Sequence, residues 1–392
     1  MKYASIVPLI GGETIAMQNV FGMRPEYMMS YEAFADNDKH LLEYYNNEVP
    51  YYLLDNSNPK VQKVDVVNAV CPCAGLSSLS PSANADSSTN DWMVKSAKFV
   101  LENVQPQVMW GENAPRLASK MGGPTVERLR ALGKENGYTF SLYKTKSLLH
   151  GMSQTRDRSF YFFWKGDKVP VINYFLKQNE RIEDTIRNTK NDPNDPMSEV
   201  ANRKIPSKDP WYEYILTELE GGISHSEFQQ KIERTWNVLD YIETKVKYNE
   251  VAKWMRSKGL DNIADRCMKM YDKLESGGNI MRKGTEIPKD KIGAFVGHLP
   301  MMLTHPDEDR YLTIRESLTI MKMPSDFQLV GGRSNLNHIC QNVPVSTAMD
   351  MATNVKLFLE DKLNLVDTDF MVQDNKTQKT DYKSNATLEA FL

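Results

Sequence analysis

Little in this sequence assigns it to a special class of protein. Four cysteines in 392 residues (Cys71, Cys73, Cys267 and Cys340) are too few and too scattered for a disulfide framework. No run of about 20 apolar residues occurs, so no membrane span is expected. The amino-terminal stretch lacks a charged region followed by a long apolar core, so no signal peptide is expected and a cytoplasmic location is. Neither sign of charge is in excess: 48 Lys and Arg stand against 51 Asp and Glu, for a net −3 and a pI near 6.1. A global nucleic-acid signature is therefore absent, and any such contact must come from a local basic face. Internal repeats are also missing. The rest is ordinary globular usage, 41% hydrophobic and 25% charged, enough for one large domain or two medium ones.

The first half alternates strand and helix signals. An apolar run from Lys2 to Gly12 ends in a glycine pair, and the spacing predicts a helix over Thr14–Phe21 stopped by Gly22. A strand near Tyr27–Tyr31 ends at Glu32, and another at Tyr51–Leu54 ends at Asp55. Val64, Val66, Val67 and Val70 lead into Cys71-Pro72-Cys73, a strand that stops abruptly and holds a thiol at its carboxyl end. A Ser/Asn/Ala/Pro-rich stretch, 77–90, reads as a mobile loop. A helix from Asp91, a strand delivering Gly111-Glu112-Asn113, a helix over Pro124–Asn136 and strands at Tyr138–Tyr143 and Phe160–Trp164 follow. The expected fold class is α/β, a doubly wound mixed sheet, whose ligands collect at the carboxyl ends of the strands.

Beyond Lys165 the texture changes. Residues 183–210 read as a polar linker, and Ser226 with Gln229 as a capping box opening one long helix striped by Phe228, Ile232, Trp236, Leu239 and Ile242. Further helices are expected at 248–258 and 261–275, in a block rich in Lys and Arg. Such charges are usually a solvated face, but they also suit phosphate contact. Residues 336–361 read as helical and 364–392 as a polar, poorly ordered tail.

Taken singly, a Pro-Cys, a Glu-Asn and an Arg-x-Arg are common and more often structural than catalytic. Their order is more specific. Cys73 precedes Glu112 by 39 residues, and Glu112 precedes Gln154-Thr-Arg156-Asp-Arg158 by 42. Arg310-Tyr-Leu-Thr-Ile-Arg-Glu316 and Asn342-Val-Pro344 come later.

In this order the motifs resemble those of the cytosine-5 DNA methyltransferase family, over roughly residues 5–360. The resemblance implies a methyltransferase-type sheet over 1–165, a smaller, largely helical target-recognition domain over 166–335, and a helix returning to the first domain over 336–363. It implies Cys73 as the nucleophile on carbon 6 of cytosine, with Glu112 holding and protonating the base and Arg156 and Arg158 stabilising negative charge. Gln154 and Ser77 fall on the substrate side. Gly11, Gly12, Glu32, Asp55, Pro72 and Asn342 fall on the side of the cofactor, S-adenosylmethionine. Acidic residues at strand ends also serve as plain helix caps, which is the competing reading for Glu32 and Asp55. The partner implied is double-stranded DNA with the target base flipped out, bound by a phage-type, monomeric enzyme of the kind found in restriction-modification.

The chain departs from the family pattern on the cofactor and base sides. Ser5-Ile-Val-Pro-Leu-Ile-Gly-Gly12 stands where the family has Asp-Leu-Phe-x-Gly-x-Gly-Gly, the nucleophile motif reads Pro-Cys-Ala, and the late Gln-x-Gly-Asn-x-Val-Pro is altered before Val343-Pro344. Three competing readings remain. Cys71 and Cys73 offer only two nearby metal ligands, with His40 the next candidate, so no metal is expected. An RNA cytosine-5 methyltransferase would share the motifs, although the long insert at 166–305 favours DNA. A catalytically inactive DNA-binding relative would not be expected to keep Cys73, Glu112, Arg156 and Arg158 together.

Overall fold

The computed structural model describes residues 1–55, 59–72, 75–77, 83–85, 87–341 and 343–381. Cys73 and Asn342, and part of the expected loop at 77–90, lie outside them. The described chain forms two compact units: residues 1–179 with 321–331 and the chain from 337 on, and residues 180–320 with 332–336.

The first unit is built on a nine-stranded mixed sheet. Its core strands are β1 (Tyr3–Ile6), β2 (Met28–Ser30), β3 (Tyr51–Leu53), β4 (Val66–Ala69), β5 (Val108–Asn113), β6 (Tyr138–Lys146) and β7 (Asp157–Lys165). The spatial order runs from β3 through β2, β1, β4, β5 and β7 to β6, followed by Phe370–Asp374 and, at the edge, Lys379–Asp381. From β3 to β5 every pairing is parallel, whereas β7 is antiparallel to both β5 and β6. β1, β4 and β5 are buried along their whole length, which is why they read as near-continuous apolar runs.

The two faces of β7 alternate as a strand requires. Tyr161 and Phe163 join Ile6, Val67, Met109, Met93 and Leu129 on one face. There α3 (Asp91–Phe99) and α4 (Gly123–Glu135) supply Met93, Ala97, Val126 and Leu129. On the other face Phe162 stacks between Trp110 and Trp164, and Trp164 meets Phe358 of helix Val345–Leu359. That helix packs on α1 (Gly12–Phe21). Gly22 and Gly137 end α1 and follow α4 with φ of 73° and 80°, a conformation that costs other residues about 1–2 kcal/mol.

The second unit has its own core, in which Tyr212, Phe228, Leu239, Tyr248, Val251 and Cys267 are buried together. Helices Tyr248–Ser257 and Asp261–Glu275 stand where the sequence places them. Glu316 is fully buried and accepts from both Arg310 Nη atoms (3.0 and 2.8 Å), the Thr313 amide (2.8 Å) and Asn191 Nδ2 (2.8 Å). The Arg310–Glu316 motif is thus a structural clasp within this unit.

Several expectations need correction. Residues 183–210 are not a bare linker, since Ile182–Arg187 is a helix with Ile182 and Ile186 buried. The capping box is Ser224 with Glu227, two residues earlier than expected. The long helix after it breaks into His225–Lys231, a short strand Trp236–Asn237 and helix Val238–Glu243, because Asn237 caps a new helix through the Leu239 amide. The helix expected at 336–361 is two, Leu336–Ile339 and Val345–Leu359, as a proline before the second requires. The stretch 364–381 is not a loose tail: Phe370–Asp374 pairs in parallel with β6 and buries Phe370, Met371 and Val372.

Candidate active site

Because β1, β2, β3, β4 and β5 are parallel, their carboxyl ends share one edge of the sheet, and the antiparallel β7 begins at that edge. This explains how residues that end a strand meet residues that start one. Glu112 is the last residue but one of β5 and lies opposite Phe160, and Arg158 enters β7 two positions before Phe160. Arg158 Nε lies 3.0 Å from Glu112 Oε2, with side chains 10% and 1% exposed. Burial pushes the Glu112 carboxyl above its ordinary value, while Arg158 and then Arg156 pull it back.

Arg156 is buried and donates from Nη2 to the Cys340 carbonyl (2.9 Å). Its neighbour Gln154, also buried, points Nε2 at Met321 Sδ (3.7 Å). Pro72 follows β4, and its carbonyl accepts from Asn113 Nδ2 at 3.5 Å, which ties Pro72 to the end of β5. Gly111 is required by close approach: a Cβ there would lie 2.4 Å from the Ala69 carbonyl and 2.6 Å from the Tyr161 hydroxyl. Cys71 is buried, and burial pushes its thiol up to about 12, which favours the neutral thiol and suits a packing role. Ser77 is half-buried at the start of the loop. The base of this loop is pinned where the Asn84 amide donates to the Gly75 carbonyl (3.1 Å).

Toward the other end of the edge, Glu32 and Asp55 are both exposed, and the Glu32 amide donates to Asp55 Oδ2 (2.6 Å). Beside them Trp92 packs on Tyr31 (centroids 4.7 Å apart) and Phe34 (5.1 Å), with Lys95 Nζ 4.2 Å above the Tyr31 ring. Gly11 caps α1 with φ 92°, and a Cβ there would strike the Leu41 side chain at 2.5 Å. The glycine thus serves the turn and the packing of α2 (Ala35–Tyr44). Ser5, where the family has Asp, bonds Asn68 (2.7 Å) and Thr14 (2.8 Å) in a buried neutral network.

Three residues of this region were not singled out from the sequence. Leu9 stands where the family has glycine and takes a left-handed backbone conformation of the kind that favours glycine, φ 51°, with its amide donating to Asp38 Oδ1 (2.8 Å). Asp38 is buried and also accepts from the Tyr51 hydroxyl (2.8 Å). Glu13, next after the glycine pair, is fully buried, and neither carboxyl oxygen has a hydrogen-bond partner. Nothing in the sequence pattern marks it, since an acid in the first turn of a helix is ordinary. Among the described residues no cluster of three or more His, Cys, Asp or Glu could hold a metal ion, and no helix is long and apolar enough to cross a membrane.

A mixed sheet of this order, with acidic residues and a buried Glu–Arg pair along one edge, has the architecture of a methyltransferase. A crystal structure of a protein described as a DNA modification methyltransferase encoded within a prophage of E. coli matches with a TM-score of 0.57 at 14% identity, over 92% of this chain and 99% of that one. The methyltransferase EhMeth of Entamoeba histolytica matches with a TM-score of 0.52 at 13% identity, over 92% and 98%. The sequence model of the C-5 cytosine-specific DNA methylase family matches residues 1–357, and the chain belongs to that family. Membership implies a transferase that uses S-adenosylmethionine to methylate cytosine. No curated protein shows significant sequence similarity to the chain.

Proposed function

We propose that this chain methylates carbon 5 of cytosine in double-stranded DNA through a covalent bond between Cys73 and carbon 6 of a flipped-out base. One observation carries the reading: the Glu112–Arg158 ion pair, with Arg156 acting on the same carboxylate, stands at the sheet edge where β4 ends, and Pro72 follows that strand in the chain. Addition of the Cys73 thiolate to carbon 6 makes carbon 5 nucleophilic. Glu112 supplies a proton to the ring as the thiolate adds and takes it back on elimination. Arg158 and Arg156 hold Glu112 and balance charge near the base carbonyl. Loss of the carbon-5 proton to water then breaks the carbon 6–sulfur bond, releases Cys73 as the thiolate and restores the 5,6 double bond of the ring.

S-adenosylmethionine, when bound, supplies the methyl group. The residues at the edge suit it: the exposed Glu32 carboxylate suits ribose hydroxyls, Asp55, which already accepts from the Glu32 amide, lies on the adenine side, and the rings of Tyr31, Phe34 and Trp92 suit a purine. The Gly11-Gly12 turn, Pro72 and Asn342 belong to the same cofactor side, and Gln154 and Ser77 to the substrate side. The unit over 180–320 is read as the target-recognition domain; its two helices at 248–257 and 261–275 expose Lys253, Arg256, Lys258, Arg266, Lys269 and Lys273 for phosphate contact. A monomer acting in the cytoplasm fits this reading.

The test is transfer of a labelled methyl group to random-sequence duplex DNA and, in parallel, to structured RNA, with products mapped by sequencing. Label at carbon 5 of cytosine in a fixed DNA context is expected. Label in RNA alone overturns the DNA reading, and tight DNA binding with no label overturns the catalytic one.

A further inference from the structure

Glu13 is unusual for a residue inside a catalytic domain. It is the second residue of α1, fully buried, with no hydrogen-bond partner for either oxygen. Buried polar side chains without partners are rare, and each asks for a ligand, an ion or a role in chemistry. The groups that act on it electrostatically are Glu112 at the end of β5, the Cys71 thiol beyond β4 and the Tyr161 hydroxyl of β7. The nearby cations, Arg158 and Arg156, act on Glu112. Burial and Glu112 together hold the Glu13 carboxyl well above the usual carboxylate range, which favours its neutral form. A neutral acid facing another acid, a thiol and a phenol lacks one kind of partner, a desolvated cation.

We propose that Glu13 is the counter-charge to the positively charged sulfur of the methyl donor, and that it releases its proton to solvent when the donor binds. The proposal rests on the reading that this edge holds S-adenosylmethionine. No bond of the donor changes in this step; a carboxylic acid becomes a carboxylate beside a sulfonium, and one proton leaves. Once the methyl group has gone, the donor's sulfur is a neutral thioether. Glu13 then regains a proton, and the attraction that held the donor is lost. The chain would thus bind donor in preference to product, and its product would leave readily.

Isothermal calorimetry on the full chain, in two buffers of different ionisation enthalpy at pH 7.5, counts protons directly. Wild type is expected to release about one proton with S-adenosylmethionine and about none with S-adenosylhomocysteine, and to bind the first roughly tenfold or more tighter. Glu13→Gln, of the same size and always neutral, is expected to release none and to lose that preference, with an unchanged melting temperature showing that it folds. Equal proton counts for the two ligands, or a Glu13→Gln variant that keeps the preference, overturn the assignment. Failure of wild type to bind either ligand overturns the cofactor reading itself, and this inference with it.

Discussion

Replacing Arg158 by Ala tests the electrostatics of the site through stability alone. The guanidinium stands 3.0 Å from a carboxylate that is 1% exposed, and truncation leaves that carboxylate buried without its nearest cation. Breaking a buried pair by removing one partner costs about 3–5 kcal/mol. Arg156 still acts on Glu112, so the lower end, about 3 kcal/mol, is expected. The sign with pH follows from Glu112. Without Arg158 its carboxyl in the folded state rises further above the ordinary value. The variant's deficit is therefore small in acid, where Glu112 is protonated in both proteins, and grows as pH rises through the folded value. Hydrogen exchange of the peptide spanning β5 measures this, since about 3 kcal/mol is roughly a hundredfold loss of protection. Adding Glu112→Gln to Arg158→Ala removes the stranded charge and is expected to restore most of the protection. A deficit that is the same at every pH, or one that Glu112→Gln leaves untouched, refutes the reasoning.

Two further outcomes follow from buried acids. Burial pushes Asp38 from 3.8 to about 7, so its contribution to stability is complete in acid and lost as pH rises toward 7. Asp38→Asn keeps an acceptor for Leu9 but has no proton to lose; relative to wild type it should gain stability between pH 4 and 7, by at most about 4 kcal/mol at about 1.4 kcal/mol per pH unit. A constant gap between their urea midpoints contradicts this. In the second unit, Glu316→Ala removes the acceptor shared by Arg310, Thr313 and Asn191 and leaves Arg310 its pair with Glu308; a loss at the lower end of the range for a broken buried pair, about 3 kcal/mol, is expected in the unfolding of that unit, read by exchange in the 310–320 peptide, and a loss under about 1 kcal/mol contradicts the clasp.

Much of the sheet was legible in the sequence because its central strands are buried on both faces and end in polar residues. The runs at Val66–Ala69 and Val108–Asn113, and the helix stops at Gly22, Gly137 and Gly259, needed no tertiary information. Phe370–Asp374 did not stand out, because five residues among Asp, Thr and Lys carry no clear period until β6 supplies a partner. The capping box was misplaced by two residues because Ser224-x-x-Glu227 and Ser226-x-x-Gln229 match the same pattern, and only the Ser224 geometry is made. In the site, Glu112 and the arginines could be picked out by order and spacing. That β7 runs antiparallel, so that Arg158 faces Glu112, is a property of the sheet. Leu9 in a glycine conformation and Glu13 without a partner are properties of packing, and no linear pattern encodes them.

The central claim is that Cys73 attacks the base with Glu112 and Arg158 in support. Its most direct test is the intact mass of the protein after incubation with S-adenosylmethionine and duplex DNA in which cytosine is replaced by 5-fluorocytosine, which blocks the final elimination. Wild type is expected to gain the mass of one DNA strand in a denaturant-stable complex, and Cys73→Ala none while still binding the duplex. A stable complex that survives Cys73→Ala, or its absence in wild type that methylates ordinary duplex, contradicts the account.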